Sequence, residues 1–468
     1  MTKDSRNYYY IRKMNKELLN KLFSFSTNKI SDWENNWNKF EYNPISMPSE
    51  SNILSTLEEL SVRLKNNYPF FHPRYLGQMT TSPHPIAIAS YVMAMLINPN
   101  NHARDGGPAT AELEFEAVSK IAKMFGYKNH LGHLTSSGTI ANLEALWISR
   151  EIHPNKCIAF SEASHYTHQR MCQVLGVKYI VIKNNSFGRI DLNDLETKLK
   201  KNNIGTLVVN VGTTSIGAVD EIDKIFPLCN KYGVRIHADA AYGGFFILCA
   251  NKNTPSVNPL PFKFLNKCDS IVVDPHKKGL QPYGCGCVIF KNPIVGKFYK
   301  HNSPYTYFTS DKLHLGEISL ECSKSGASAA ALWATLKLFP LESESGLGSF
   351  LNSTRESAIK YSILIKKKNI FLESYSPDLD IVTYFKNQKD KKISTISKSS
   401  KRIFKVAMSK KVAPLFLALL ETKSADLKFK YPNLTVNLPK ATVLRTVFMK
   451  PEHLDFVETF VSELENLT

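Results

Sequence analysis

Residues Thr206–Gly244 read TLVVNVGTTSIGAVDEIDKIFPLCNKYGVRIHADAAYGG. Thr206 to Val211 is almost wholly apolar and β-forming, the composition of a strand with both faces covered. Gly212-Thr-Thr ends that run, Ile222 to Tyr232 is amphipathic with a helical period, and Val234 to His237 is apolar and β-rich again. Two buried strands joined through a helix make a βαβ unit, and the crossover makes the strands parallel. Just beyond the second strand stands Asp239, followed by the small residues Ala240, Ala241, Gly243 and Gly244.

The same alternation continues in both directions. Further β-rich runs occur at Cys157 to Phe160, Tyr179 to Ile182, Ile271 to Val273 and Cys287 to Phe290, separated by helix-like segments such as Ala109 to Phe125, Thr139 to Arg150 and Leu192 to Lys201. This predicts an α/β fold, a large domain with a mostly parallel sheet covered by helices on both faces. From about residue 340, helical stretches (Ser349 to Lys368, Glu452 to Leu467) mix with strands (Ile381 to Phe385, Val443 to Val447), predicting a smaller α+β domain. The reading divides the chain into an N-terminal segment, 1–108, a large domain, 109–340, and a C-terminal small domain, 341–468. The stretches FFHPRYLGQ and INPNNHARDGGP read as structured loops beside the large domain.

A chain of 468 residues with 43% hydrophobic and 21% charged content has ample apolar area to bury and is neither disordered nor fibrous in composition. Its start, MTKDSRNYYYIRK, lacks the pattern of a secretory signal, and no apolar run reaches the roughly 20 residues of a membrane helix. The expectation is a soluble cytoplasmic protein with no membrane contact, in which Ile86 to Ile97 is a buried helix. Eight cysteines without paired metal-ligand spacing predict reduced thiols and no metal site, with Cys285 and Cys287 packed on one face of a strand. The net charge of +18 is scattered except for Lys386 to Lys411, KNQKDKKISTISKSSKRIFKVAMSKK, which reads as a solvated hairpin or loop and not as a nucleic-acid site.

Three motifs carry chemistry. Thr135-Ser-Ser-Gly-Thr-Ile-Ala-Asn142 is a small-residue turn leading into a helix, so its backbone N–H groups and the hydroxyls of Ser137 and Thr139, around Gly138, suit a phosphate; alone, such a cluster is more often a plain N-cap. In His237-Ala-Asp-Ala-Ala-Tyr-Gly-Gly244, Asp239 at a strand end can keep a pyridinium nitrogen protonated, and Ala241 lets a flat ring lie close. Ile271-Val-Val-Asp-Pro-His-Lys-Lys-Gly279 ends a third β-rich run with a lysine placed to form a Schiff base, although adjacent lysines are more commonly a solvated turn.

Taken in order, these motifs resemble the group II pyridoxal-phosphate-dependent amino-acid decarboxylases of the aspartate-aminotransferase-like fold (fold type I), over roughly Tyr68 to Leu338. The resemblance implies pyridoxal 5′-phosphate as cofactor, a carboxy-lyase acting on an aromatic or acidic L-amino acid, and a homodimer. It makes Lys277, after His276, similar to the Schiff-base lysine, with Lys278 at a variable position. Asp239 is similar to the pyridinium partner, Ser137, Gly138 and Thr139 to the phosphate turn, and Thr214 to a cofactor-side hydroxyl. His165, in Ser164-His-Tyr-Thr-His168, resembles the histidine stacked on the ring, ahead of His168 one turn away. Ile140 departs from the family, which often has an acidic residue there. Tyr305 and Tyr307 fall where related enzymes carry a loop tyrosine that protonates the product; each is as readily a packed aromatic. The loop His72 to Thr81 resembles the substrate side of glutamate and tyrosine decarboxylases, pointing to Gln78 and Thr80, with His72 and His84 as lesser candidates. Two alternatives share the fold: a carbon–carbon lyase of the sphingosine-phosphate lyase type, and an aminotransferase binding its substrate carboxylate through Arg445.

Overall fold

A computed structural model of the protein describes residues 16–37, 47–300, 318–409 and 413–467. Seven strands, β1 (Leu131–Thr135), β2 (Cys157–Ser161), β3 (Tyr179–Ile182), β4 (Ile204–Asn210), β5 (Arg235–Asp239), β6 (Ser270–Val273) and β7 (Gly286–Phe290), form one sheet in the order β1-β7-β6-β5-β4-β2-β3. From β3 through β6 the pairs are parallel, and β7 is inserted antiparallel between β6 and β1. The expected parallel runs are therefore present, and β7 runs antiparallel because its connection from β6 holds only the four-residue helix Pro275–Lys278, too short to cross the sheet.

Alternate residues of β4 face opposite layers: Leu207 and Val209 belong to the main apolar cluster, and Val208 packs with Ile158, Phe160 and Cys172 on the other side. Each of these fully buried side chains contributes roughly 1.5–3 kcal/mol by leaving water, which is why the strand tolerates no polar alternation. Helices Pro108–Met124, Gly138–Ile152, Leu192–Lys201 and Ile222–Lys231 cover the sheet. Helix Pro85–Met95 lies against Gly326–Leu338, which packs in turn on Pro108–Met124. Only Ala87, Ala89 and Ala94 of Pro85–Met95 are buried, and Met95, Leu96 and Ile97 are exposed, so the predicted buried helix is buried on one side alone.

A second, antiparallel sheet joins β8 (Phe371–Tyr375), β9 (Ile381–Lys386), β10 (Ala418–Lys423) and β11 (Lys440–Val447) in the order β10-β11-β9-β8. Helices Gly346–Lys368, Ile393–Ser409 and His453–Glu465 accompany it. Two expectations are corrected here. Most of the basic stretch is the helix Ile393–Ser409, not a loop: Ile393, Ile396, Ile403 and Ala407 recur at helical spacing and are buried, leaving Lys398, Lys401 and Lys405 on the wet face. The FFHPRYLGQ loop lies on the second sheet, where Leu76 N–H donates to Phe416 O (2.9 Å), Val447 N–H donates to Leu76 O (2.9 Å) and the Arg74 guanidinium pairs with Glu463. Among the described residues no helix is long and apolar enough to cross a membrane.

Candidate active site

The large sheet brings Asn210, Asp239 and Val273 to the same edge, since Asn210 is in register with Asp239 and Asp239 with Val272. The carboxyl ends of parallel strands are where such sheets bind ligands, because the loops leaving them are free to diverge. Here those loops enclose a cavity of about 220 Å³. Ser137, Gly138, Thr139, His165, Thr214, Asp239, Ala241, His276 and Lys277 all line it. Seven further lining residues were not among the site residues anticipated from sequence: Asn142, Thr167, Asn210, Gly212, Thr213, Tyr242 and Asp274. Gln78 and Thr80 are not among the lining residues; Gln78 is exposed, and Thr80 Oγ1 lies 3.2 Å from the Tyr283 hydroxyl, whose ring packs on His276 (4.9 Å between centroids). Tyr305 and Tyr307 lie outside the described residues.

Backbone geometry shapes two walls. Gly212 leaves β4 with φ of 92°, a conformation open to glycine, and turns Thr213 and Thr214 toward the cavity. On the opposite side Ser137 caps helix Gly138–Ile152, its Oγ accepting from Ile140 N–H at 3.3 Å, so the helix's first N–H groups face the cavity. A Cβ on Gly138 would fall 2.4 Å from Asp274 Oδ2, so only glycine lets this turn abut that carboxylate.

Charge is concentrated on the floor. Asp239 Oδ2 accepts from His168 Nε2 at 2.8 Å and Oδ1 from Ala241 N–H at 3.2 Å. Burial alone would raise the Asp239 pKa, but the bond and charge of His168, then the charges of Lys277 and His237, hold it below the ordinary carboxylate range. Lys277 Nζ lies 2.9 Å from Asp274 Oδ2, with a quarter of its side chain open to the cavity. Burial would lower its pKa, and the neighbouring Asp274, then Asp239, more than reverse this. His165 donates or accepts through Nδ1 with Thr167 Oγ1 (2.7 Å) and lies on Tyr166 (4.5 Å between centroids); burial lowers its pKa, as it does that of His276. His168, given second place from sequence, is fully buried and serves as the partner of Asp239.

Two candidates have structural uses. Arg445 is buried and donates to Ser215 O (2.7 Å), Thr214 O (2.8 Å) and Gly77 O (3.1 Å), so all three guanidinium nitrogens are engaged by backbone carbonyls, and it is not among the residues lining the cavity. His84 caps helix Pro85–Met95 through Nδ1 (3.2 Å from Ile86 N), and burial pushes its pKa down to about 4.

Residues 39–374, well over half the chain, match the model of the pyridoxal-dependent decarboxylase conserved domain. The chain belongs to the pyridoxal-dependent decarboxylase family. Among its relatives is the L-tyrosine decarboxylase of Enterococcus faecium, 26% identical over 82% of this chain and 82% of that protein. Another is the L-aspartate/L-glutamate decarboxylase of Pyrococcus horikoshii, 29% identical over 73% and 85%. Of solved structures, Oryza sativa TDC with PLP and tryptamine superposes with a TM-score of 0.77 at 15% identity, over 97% of this chain and 98% of that one, and mouse CSAD with 0.75 at 19%, over 96% and 91%. The fold is thus the one those two structures share, and the family and the curated relatives make the activity pyridoxal-phosphate-dependent decarboxylation of an amino acid.

The decarboxylase's cavity fits that cofactor part by part. A helix start with free N–H groups suits its phosphate, the Ala241 wall a flat ring, ionised Asp239 a pyridinium nitrogen, and Lys277 an aldehyde. Buried Asp274 Oδ1, on a residue that lines the cavity, has no hydrogen-bond partner among the described residues, as expected of a site shaped around a further polar group.

Proposed function

We propose that this decarboxylase acts on an L-amino acid with an aromatic or acidic side chain, tyrosine, aspartate and glutamate foremost, using Lys277, Asp239 and His165 as its principal groups. The observation that carries the assignment of roles is the convergence of Lys277, Asp239 and the Ser137–Thr139 turn on one cavity. When bound, pyridoxal phosphate supplies an electron-poor ring that accepts the electron pair left as carbon dioxide departs.

The chain's own groups do the rest. The Ser137–Thr139 turn and Thr214 hold the phosphate and fix the depth of the ring. Asp239, kept ionised by His168, holds a proton at the ring nitrogen and so favours charge moving into the ring. His165 covers the opposite face, orients the substrate carboxylate and limits water above the reacting carbon. Lys277 receives and returns the cofactor, and Tyr305 or Tyr307 returns a proton to the product. Thr80, through Tyr283, and Gln78 recognise the substrate at the rim. Residues 109–340 form the cofactor-binding domain and 341–468 the smaller one. The protein is cytoplasmic and dimeric; helix Glu50–Leu64 buries no residue within one chain and exposes Ile53, Leu54, Leu57, Leu60 and Leu64, which supports a second copy as its cover.

The test is carbon dioxide release from a panel of L-amino acids, with pyridoxal phosphate added and the visible spectrum recorded. Release from tyrosine, aspartate or glutamate, with an absorption band near about 420 nm, supports the reading. Release confined to an amino acid outside the aromatic and acidic classes overturns the substrate assignment.

A further inference from the structure

We infer that Asp274 is the seat of the Lys277 amine whenever that amine is not bonded to the cofactor, and that it favours the substrate's displacement of the lysine. This rests on Lys277 being the cofactor-bonded residue, as read above. Asp274 follows the last residue of β6, and its carboxylate is 2% exposed. The short helix Pro275–Lys278 brings Lys277 back onto it twice, through Nζ to Oδ2 at 2.9 Å and through backbone N–H to the Asp274 carbonyl at 2.9 Å. Gly138 abuts Oδ2, so the carboxylate cannot retreat on that side, and Oδ1 has no hydrogen-bond partner among the described residues.

The titratable groups around Asp274 are few. His276 Nε2 lies 3.5 Å away, but its Nδ1 is committed to Cys285 O at 2.7 Å and burial disfavours its charged form. His165 interacts with Asp274 across the cavity and is likewise disfavoured as a cation. Cys285 and Cys287 lie behind it, their thiols pushed up by burial, and Asp239 stands beyond Lys277. Among the residues lining the cavity Lys277 is the lone lysine or arginine. Asp274 therefore has one natural counter-charge, and a buried carboxylate that loses its cation is strongly disfavoured.

The two states of Lys277 follow. Bonded to the cofactor, its nitrogen leaves Asp274; released, it returns as an ammonium. In the exchange the carbon–nitrogen double bond to Lys277 is replaced by one to the substrate nitrogen, and the two protons that the incoming substrate ammonium gives up end on Lys277, which leaves as an ammonium held by Asp274. No other reactant is needed. Asp274 thus draws the lysine away from the cofactor once substrate arrives.

Asp274→Asn keeps the shape and removes the charge. The measurement is the affinity of cofactor-free protein for pyridoxal phosphate, which can bond to the lysine, divided by its affinity for pyridoxamine phosphate, which cannot. Both carry the same phosphate, so effects on phosphate binding cancel. The ratio should rise in the variant by about tenfold for each pH unit of basicity that Lys277 loses; Asp274→Ser replaces it if the asparagine variant does not bind pyridoxamine phosphate. A ratio that stays level or falls overturns the inference. Failure of the underlying reading looks different, since the wild-type protein itself would then bind both compounds equally and show no visible band.

Discussion

His168 holds Asp239 in its ionised form from a buried position outside the cavity lining. His168→Leu leaves a buried carboxylate without its bonded partner, which favours a protonated Asp239 and an uncharged ring nitrogen. The expected result is a fall in kcat of about 10²-fold, measured as carbon dioxide release at saturating cofactor, with KM changed far less. Lys277→Ala should remove the visible absorption band on adding pyridoxal phosphate while phosphate-turn binding of pyridoxamine phosphate persists; an unaltered band would show that another lysine carries the cofactor. At this scale the sequence was readable where a residue type is tied to a strand end, as with Asp239 and Lys277. His168 was missed in its role because it acts on a residue brought near by folding, Asp239, 71 positions away; Asp274 stands three positions before Lys277, and its role was missed because its burial beside that amine is set by the sheet and by Gly138.

Helix Ile393–Ser409 shows how composition can hide an element. Its lysines dominate a reading by charge, yet its buried isoleucines decide its state. Ile403→Ala should lower unfolding free energy by about 2–5 kcal/mol, whereas Lys401→Ala should change it by no more than about 0.5 kcal/mol, both read from guanidine titrations. Strand β5 carries a pH dependence. His237 is fully buried between Asn142 Oδ1 (2.8 Å) and Ser270 Oγ (2.9 Å), and burial pushes its pKa down to about 3. Its unfolded form takes a proton near pH 6.5 and its folded form does not, so its contribution to stability is full above about pH 6.5 and is lost as pH falls from there toward 3. His237→Gln should make the fall in stability shallower by up to about 1.4 kcal/mol per pH unit across this window. The helical and parallel-strand elements were legible because their periodicity is local; β1 was not, since its short run becomes a strand only by pairing with β7 far along the chain, and β8 and β10 were not, their short runs each being completed by the next strand, β9 and β11.

Across the whole molecule, one buried ion pair joins the site to the second sheet. Lys278 and Asp380 are both fully buried and paired, and the Tyr242 hydroxyl, from the cavity wall, donates to the same carboxylate. Lys278 is thus no solvated neighbour of Lys277. It reaches the loop between β8 and β9. Asp380→Asn should lower stability by about 3–5 kcal/mol by leaving Lys278 uncompensated, and Lys278→Met combined with Asp380→Leu should recover most of it; differential scanning calorimetry of the three variants checks both. That such a pair exists could not be read from the sequence, because its halves lie 102 residues apart.

Arg445 fastens Gly77, Thr214 and Ser215 from strand β11, and it follows Thr214 by 231 positions. A ribosome therefore releases the turn that lines the cavity long before it makes the clasp that steadies it. Nascent chains stalled before Arg445 will hold pyridoxal phosphate loosely, and tight capture will come as a late event of synthesis, once β11 and its arginine have emerged.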